Sequence, residues 1–201
     1  MRFLEFQSKM KKPVFTLAEA RIVINDRPLP SLRLALHRWT ENGNLISMRR
    51  GVYAFADRPC SMPEMLAALY PPAYISLESA LNQLGLLPDV PFETTLVAPR
   101  PTRSFDTPRG RFHFHRIHQR LFFGYDPGTF LGEPEKVLLD YFYFRGASMR
   151  DDPAFWRESR LQNLEPLRWG KGDRWARLYP VSRVRKLWNG LKRYAKTSRS
   201  Y

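Results

Sequence analysis

Residues 31–55, SLRLALHRWTENGNLISMRRGVYAF, constrain this chain more than any other stretch. Ser31 is placed to N-cap a helix, its hydroxyl accepting an otherwise orphaned backbone N–H. Leu32, Leu36 and Trp39 then recur at i, i+4 and i+7, an apolar stripe with Ala35 beside it. Arg33, Leu34, His37, Arg38 and Glu41 fall on the outward face. Asn42-Gly43-Asn44 ends the helix, because both residue types accept the left-handed conformation that a helix end needs. Leu45 to Met48 and Val52 to Phe55 have strand composition, and Arg49-Arg50-Gly51 joins them, with Gly51 free to take a positive φ.

A helix followed at once by a basic hairpin is the second half of a winged helix-turn-helix. Such a helix lies in the major groove of DNA, where its exposed side chains read bases or grip phosphates. Arg33, His37 and Arg38 are the expected contacts from the helix, and Arg49 and Arg50 those from the wing. Leu34 could touch a thymine methyl, whereas Glu41 must avoid phosphates or accept from cytosine. The plainer alternative is a small α+β cap whose arginines face water. Upstream, residues 2–12 form a first expected helix, with Phe3, Leu4, Phe6 and Met10 to bury and Pro13 to stop it. Thr16-Leu17-Ala18-Glu19 fits a capping box, so a second helix runs from there to about Ile24. Asn25 to Pro30 reads as a turn. A winged helix is thus expected over residues 1–60.

The distribution of charge supports a polyanionic partner. Residues 1–60 carry 11 Lys and Arg against 5 Asp and Glu, residues 61–150 carry 9 against 9, and residues 151–201 carry 13 against 5. The net charge of +14 therefore sits at the two ends, around a neutral middle. An arginine-rich surface for a protein partner is the competing explanation. One cysteine, Cys60, leaves no disulfide framework within the chain and fits a reducing compartment. There is no signal-peptide core after Met1-Arg2 and no apolar run of membrane-spanning length, so a cytoplasmic protein with no membrane partner is expected.

Asp57 to Pro63 has the polar, proline-containing composition of a boundary, and an α+β domain is expected over 61–201. Pro63 to Leu69 reads as a short helix that Pro71-Pro72 breaks. In Tyr74 to Leu87, Ser76 is a good N-cap, Leu77, Ala80, Leu81 and Leu84 share a face, and Gly85 closes the helix. Ser79 lies inside it without a glycine elbow or an identifiable base, so it reads as a small packing residue that lets helices approach, not a nucleophile. Strands are expected at Phe92 to Ala98, Thr102 to Asp106 and Gly110 to Ile117, and one more at Leu121 to Tyr125. Phe112 and Phe114 would face one side of the third strand, and His113 and His115 the other. With His118 they invite a metal reading. His118 should point away, however, and no cysteine is near, so no metal or other cofactor is assigned and a polar sheet face or partner surface is the preferred reading.

Pro134 suits the first turn of a helix that Glu133 and Glu135 favour electrostatically, and Leu138, Leu139, Tyr141, Phe142 and Phe144 give it a wide apolar surface. Lys136 and Asp140 sit four apart and read as a surface ion pair worth a few tenths of a kcal/mol. Carboxylates and a lysine beside a sheet could hold Mg²⁺ in a nuclease, but Pro134 occupies the acidic position of the restriction-type pattern.

The order RRGVYAF, then YISLESALNQLGLLP, then EPEKVLLDYFYF resembles the AbiEi-type antitoxins of type IV toxin–antitoxin systems, from about Phe15 to Tyr143. The resemblance implies a protein that is not an enzyme. Its winged helix would repress its own operon at operator repeats in double-stranded DNA, and its C-terminal domain would neutralise a nucleotidyltransferase-like toxin. Arg33, His37, Arg38, Arg49 and Arg50 carry over as DNA contacts. Ser76, Glu78, Ser79, Glu135, Lys136 and Asp140 match recurrent positions of the family, with capping, packing and charge pairing as their expected work.

Near the C-terminus, Val184, Leu187, Trp188, Leu191 and Tyr194 recur at helical spacing, while Arg183, Arg185, Lys186, Lys192 and Arg193 form a second basic surface. Gly190 weakens this helix, and the final KTSRSY is expected to fray. The surface could meet DNA phosphate or an acidic toxin face. The expected function is a DNA-binding autorepressor and antitoxin. The alternatives are a winged-helix transcription factor with a ligand-sensing or dimerisation domain, and a metal-dependent nuclease with a winged-helix reader.

Overall fold

The computed structural model describes residues 2–24 and 28–197. Among the described residues are nine α-helices, one 3-10 helix and two small sheets, an α+β architecture. They gather into two compact units, Met1–Ala73 with Ser104–Phe112, and Tyr74–Arg103 with His113–Tyr201.

The first unit runs α1 (Phe3–Lys9), β1 (Val14–Thr16), α2 (Leu17–Val23), α3 (Leu29–Glu41), β2 (Leu45–Arg49), β3 (Val52–Phe55) and α4 (Met62–Leu69). The Thr16–Glu19 capping box forms and opens α2. A second capping box, Ser61 with Glu64, opens α4; the S-x-x-E spacing was there to be read. Ser31 is not an N-cap. Helix α3 begins three residues earlier than expected, at Leu29 after Pro28, with Pro30 in its first turn. Proline lacks the N–H that a first turn leaves orphaned and fixes a helical φ, so these prolines start the helix instead of only turning the chain. Residues 25–27 of the expected turn lie outside the described residues. Helix α1 ends at Lys9, short of the expected residue 12, and Leu4 is exposed instead of buried.

Strand β1 was not read from the sequence. It pairs antiparallel with β3, Phe15 opposite Tyr53, giving a three-stranded sheet in the order β1-β3-β2. The β2–β3 hairpin turns at Arg50-Gly51, where Gly51 takes φ +77°, and a register shift falls between Ser47 and Arg49. Phe6, Phe15, Leu32, Leu36, Trp39 and Phe55 form the core, with Phe6 stacked on Trp39 at 5.0 Å between centroids.

The remaining elements are β4 (Tyr74–Ile75), α5 (Leu77–Gln83), β5 (Thr94–Ala98), β6 (Arg103–Thr107), β7 (Gly110–Arg116), α6 (Pro134–Arg145), α7 (Pro153–Glu158), α8 (Trp169–Ala176) and α9 (Ser182–Thr197). The second sheet has the order β4-β5-β7-β6. Helix α6 is central to the second unit: α5, α8 and α9 all pack on it. The strand expected over Leu121 to Tyr125 does not form. Its start is a 3-10 turn, Gln119–Leu121, and Tyr125 makes only a single bridge to Gly132. Aromatic side chains of that run pack on Tyr74 instead, Tyr125 stacked at 4.8 Å and Phe122 tilted at 5.3 Å, which half-buries them without a ladder. In α9, Gly190 is a packing requirement and not merely a weak spot: a Cβ there would collide with the Asp151 carboxylate and press on Trp156. Of KTSRSY, Lys196 and Thr197 complete α9, and residues 198–201 lie outside the described residues.

Candidate functional site

Helix α3 presents two faces with different chemistry. Leu32, Leu36 and Trp39 are buried, and Arg33, Leu34, His37, Arg38 and Glu41 are exposed. Arg33, His37 and Arg38 sit at i, i+4 and i+5, and none makes an ion pair or side-chain hydrogen bond with another described residue. Cations with no internal partner cost little in water and remain available to an external anion.

The two arginines of the hairpin part company. Arg50 is exposed at the turn. Arg49 is half-buried: its Nε donates to the Leu69 carbonyl at 2.8 Å, and its guanidinium lies 5.4 Å from the centroid of Phe105. The register shift before Arg49 accompanies this change of aim. Arg49 therefore ties the hairpin to the end of α4, and Arg50 is left exposed at the turn with no ion pair among the described residues. Arg58, in the expected boundary segment, is likewise spent internally. It donates to the carbonyls of Met10 (2.7 Å) and Gln7 (2.6 Å) and stacks on Phe55.

The second unit contains a buried polar centre. Lys136 and Asp140 are not a surface pair, for both side chains are wholly buried and joined by an ion pair. Asp140 Oδ2 accepts from Tyr74 Oη (2.7 Å) and Ser76 Oγ (2.9 Å), and Oδ1 accepts from Lys136 Nζ and Tyr179 Oη (2.7 Å). Lys136 also donates to Tyr179 Oη, and its ammonium lies 5.1–5.5 Å from the ring centroids of Tyr74, Phe123 and Tyr179. Burial pulls Lys136 below the ordinary lysine range, with Asp140 opposing it. Burial first, and then the Asp140 charge, pushes Tyr74 and Tyr179 well above the ordinary phenol range, so both remain protonated donors. Both Asp140 oxygens carry two donors, and this centre ties β4, α6 and the segment before α9 together.

Ser76 holds the N-cap position of α5, but its hydroxyl serves Asp140 instead of the cap. Ser79 clamps helix to strand, not helix to helix. Its hydroxyl donates to the Glu93 carbonyl and accepts from Thr95 N–H, while its own N–H donates to Thr95 Oγ1. Glu78 pairs with Arg145 at 2.7 Å. Glu133 pairs with Lys171, and Glu135 accepts from Arg168 N–H at 2.7 Å.

Phe112 and Phe114 are buried, and His113 and His115 share the opposite side of β7 with ring centroids 4.2 Å apart. His113 lies 3.8 Å from a Glu93 oxygen. Burial, then the neighbouring His113 and Arg145, lower His115 to a pKa of about 4. His118 stands apart and caps the 3-10 turn, its Nδ1 accepting from Arg120 N–H. Among the described residues no group of three or more His, Cys, Asp or Glu is arranged to hold a metal.

The second basic surface is divided too. Lys192 pairs with Asp173 (2.6 Å) and Arg193 with Asp151 (2.8 Å), whereas Arg185 and Lys186 are exposed without an acidic partner among the described residues. Those acids lie 19 and 42 residues before their cations, so no local pattern announces the pairs. No helix among the described residues is long and apolar enough to cross a membrane. No protein-family model matches this chain, and no curated protein matches it significantly.

Proposed function

We propose that this protein is a DNA-binding autorepressor and the antitoxin of a type IV toxin–antitoxin pair. The order of α1 to α3 followed by the β2–β3 hairpin supports a winged-helix reading. The observation that carries the reading is the outer face of α3, where Arg33, His37 and Arg38 are exposed with no partner among the described residues. In this reading α3 enters the major groove of operator DNA, and Arg50 grips the neighbouring backbone. Arg49 acts one step back, by fixing the hairpin. The antitoxin half rests on the resemblance of the ISLESAL and EPEKVLLD segments, and the second unit is assigned to a nucleotidyltransferase-like toxin as its partner.

Co-expression with the product of the adjacent gene tests the antitoxin half. Growth rescue together with a co-purifying complex is the expected result. A neighbour that is harmless alone, or that still kills in the presence of this protein, removes the antitoxin and leaves a repressor.

A further inference from the structure

At the start of α9 the second unit holds a hollow of about 640 Å³ that neither the DNA face nor the buried centre uses. Arg150, Arg183 and Lys186 line it, and none of the three has an acidic partner among the described residues. Asp151 and Asp152 also line it, but they are committed elsewhere. Asp151 accepts from Trp156 Nε1 and pairs with Arg193, and Asp152 Oδ1 caps α7 through Phe155 N–H. Asp151 is thus neutralised by Arg193, and the three cations outnumber the remaining Asp152 carboxylate, so the hollow keeps a net positive charge.

Arg183 adds a second, independent sign. Its Nε is buried and has no acceptor, the only such side-chain atom among the described residues. Buried donors in native proteins nearly always have a partner, and leaving one unpaired is costly. That Nε lies against Gly146, closed off from the hollow, so what an anion in the hollow would supply is counter-charge to the Arg183 guanidinium as a whole, and the first turn of the 16-residue helix α9 adds its own positive end.

We propose that this hollow binds a small phosphorylated, hydroxyl-bearing metabolite of the sugar-phosphate or mononucleotide class. The three cations take the phosphate. Asp152 Oδ2, which the cap leaves free, accepts from a hydroxyl, and Met149 with Leu187 offers an apolar wall. A bare phosphate would leave most of the volume empty, whereas about 300–1,000 Å³ is the usual range for a small-molecule site. A continuous nucleic-acid backbone fits less well, since it would carry further phosphates past Asp152, whereas a single phosphate meets only the three cations.

The test is calorimetric titration of the full chain with adenosine monophosphate, ribose 5-phosphate, inorganic phosphate and phosphate-free adenosine, with a short DNA duplex as a separate arm. We expect saturable one-to-one binding of a phosphorylated probe at about 1 mM or tighter, roughly tenfold or more above adenosine. Arg150→Ala with Lys186→Ala removes two exposed cations and should weaken that binding at least tenfold, on the order of one charge-assisted contact. Arg183→Gln should do the same, and thermal melts of each variant establish that it is folded. Binding that survives the exposed double variant overturns the proposal, as does equal binding of adenosine or none by any phosphorylated small molecule. A double variant that weakens the duplex alone assigns the hollow to nucleic acid and also overturns it. Loss of DNA binding through α3 would leave these outcomes untouched.

Discussion

Helices α3 and α6 carry charged residues at similar local spacing, and their environments give those charges opposite uses. On α3, Arg33, His37 and Arg38 lie on a solvent face that the core does not touch. On α6, Lys136 and Asp140 are buried and saturated by Tyr74, Ser76 and Tyr179. Charge left unpaired at a surface is free for a partner, while charge withdrawn from water must be satisfied inside the molecule and holds the elements that satisfy it. The same contrast recurs between the neighbours Arg50 and Arg49, one free and the other bonded to the Leu69 carbonyl.

The comparison breaks most visibly at the buried pair. Lys136→Met should destabilise the protein by about 3–5 kcal/mol in denaturant unfolding, because it strands Asp140 without its counter-ion. Lys136→Met with Asp140→Leu should cost clearly less than the two single changes added together. Additive costs would mean the pair is not coupled.

Next is the contrast at the hairpin. Arg49→Ala should lower stability by about 1–2 kcal/mol through its lost backbone hydrogen bond, and Arg50→Ala by less than about 0.5 kcal/mol. Arg50→Ala should instead flatten the salt dependence of DNA binding by about one unit of slope. The reverse assignment would exchange the roles of the two residues.

A pH-dependent effect is expected from His115. Its folded pKa of about 4 lies below the unfolded value of 6.5, so the unfolded chain binds the proton first as pH falls. The stability it contributes is complete above about pH 6.5 and is lost as pH falls towards 4. His115→Gln should therefore lose less stability than the wild-type protein between those pH values in urea unfolding. An identical pH profile would place the titration elsewhere.

These particulars show what the sequence could carry. The α3 stripe was legible because a local apolar period marks the buried face of a helix directly. The hairpin was legible because Arg49-Arg50-Gly51 sits between two short runs of strand composition, although Arg49 itself ends β2. Capping boxes are local as well, which is why Thr16–Glu19 is found and Ser61–Glu64 was findable. The burial of Lys136 and Asp140 had one available signal. Val137, Leu138, Leu139, Tyr141, Phe142, Tyr143 and Phe144 make α6 apolar almost all round, and a helix of that kind is a core helix whose charges must be paired internally. Tyr179, 39 residues beyond Asp140, had none. Gly190 was read through intrinsic propensity, when the decisive term was the approach of Asp151 and Trp156 from another element.

The most direct test of the central claim is fluorescence anisotropy on the DNA upstream of the protein's own gene, comparing wild type with Arg33→Ala/Arg38→Ala at fixed salt. The account predicts tight, saturable binding that the double variant weakens by roughly tenfold or more, as expected for lost contacts of about 1–3 kcal/mol each, with unfolding transitions unchanged. Equal affinity of the two proteins for that DNA would contradict it.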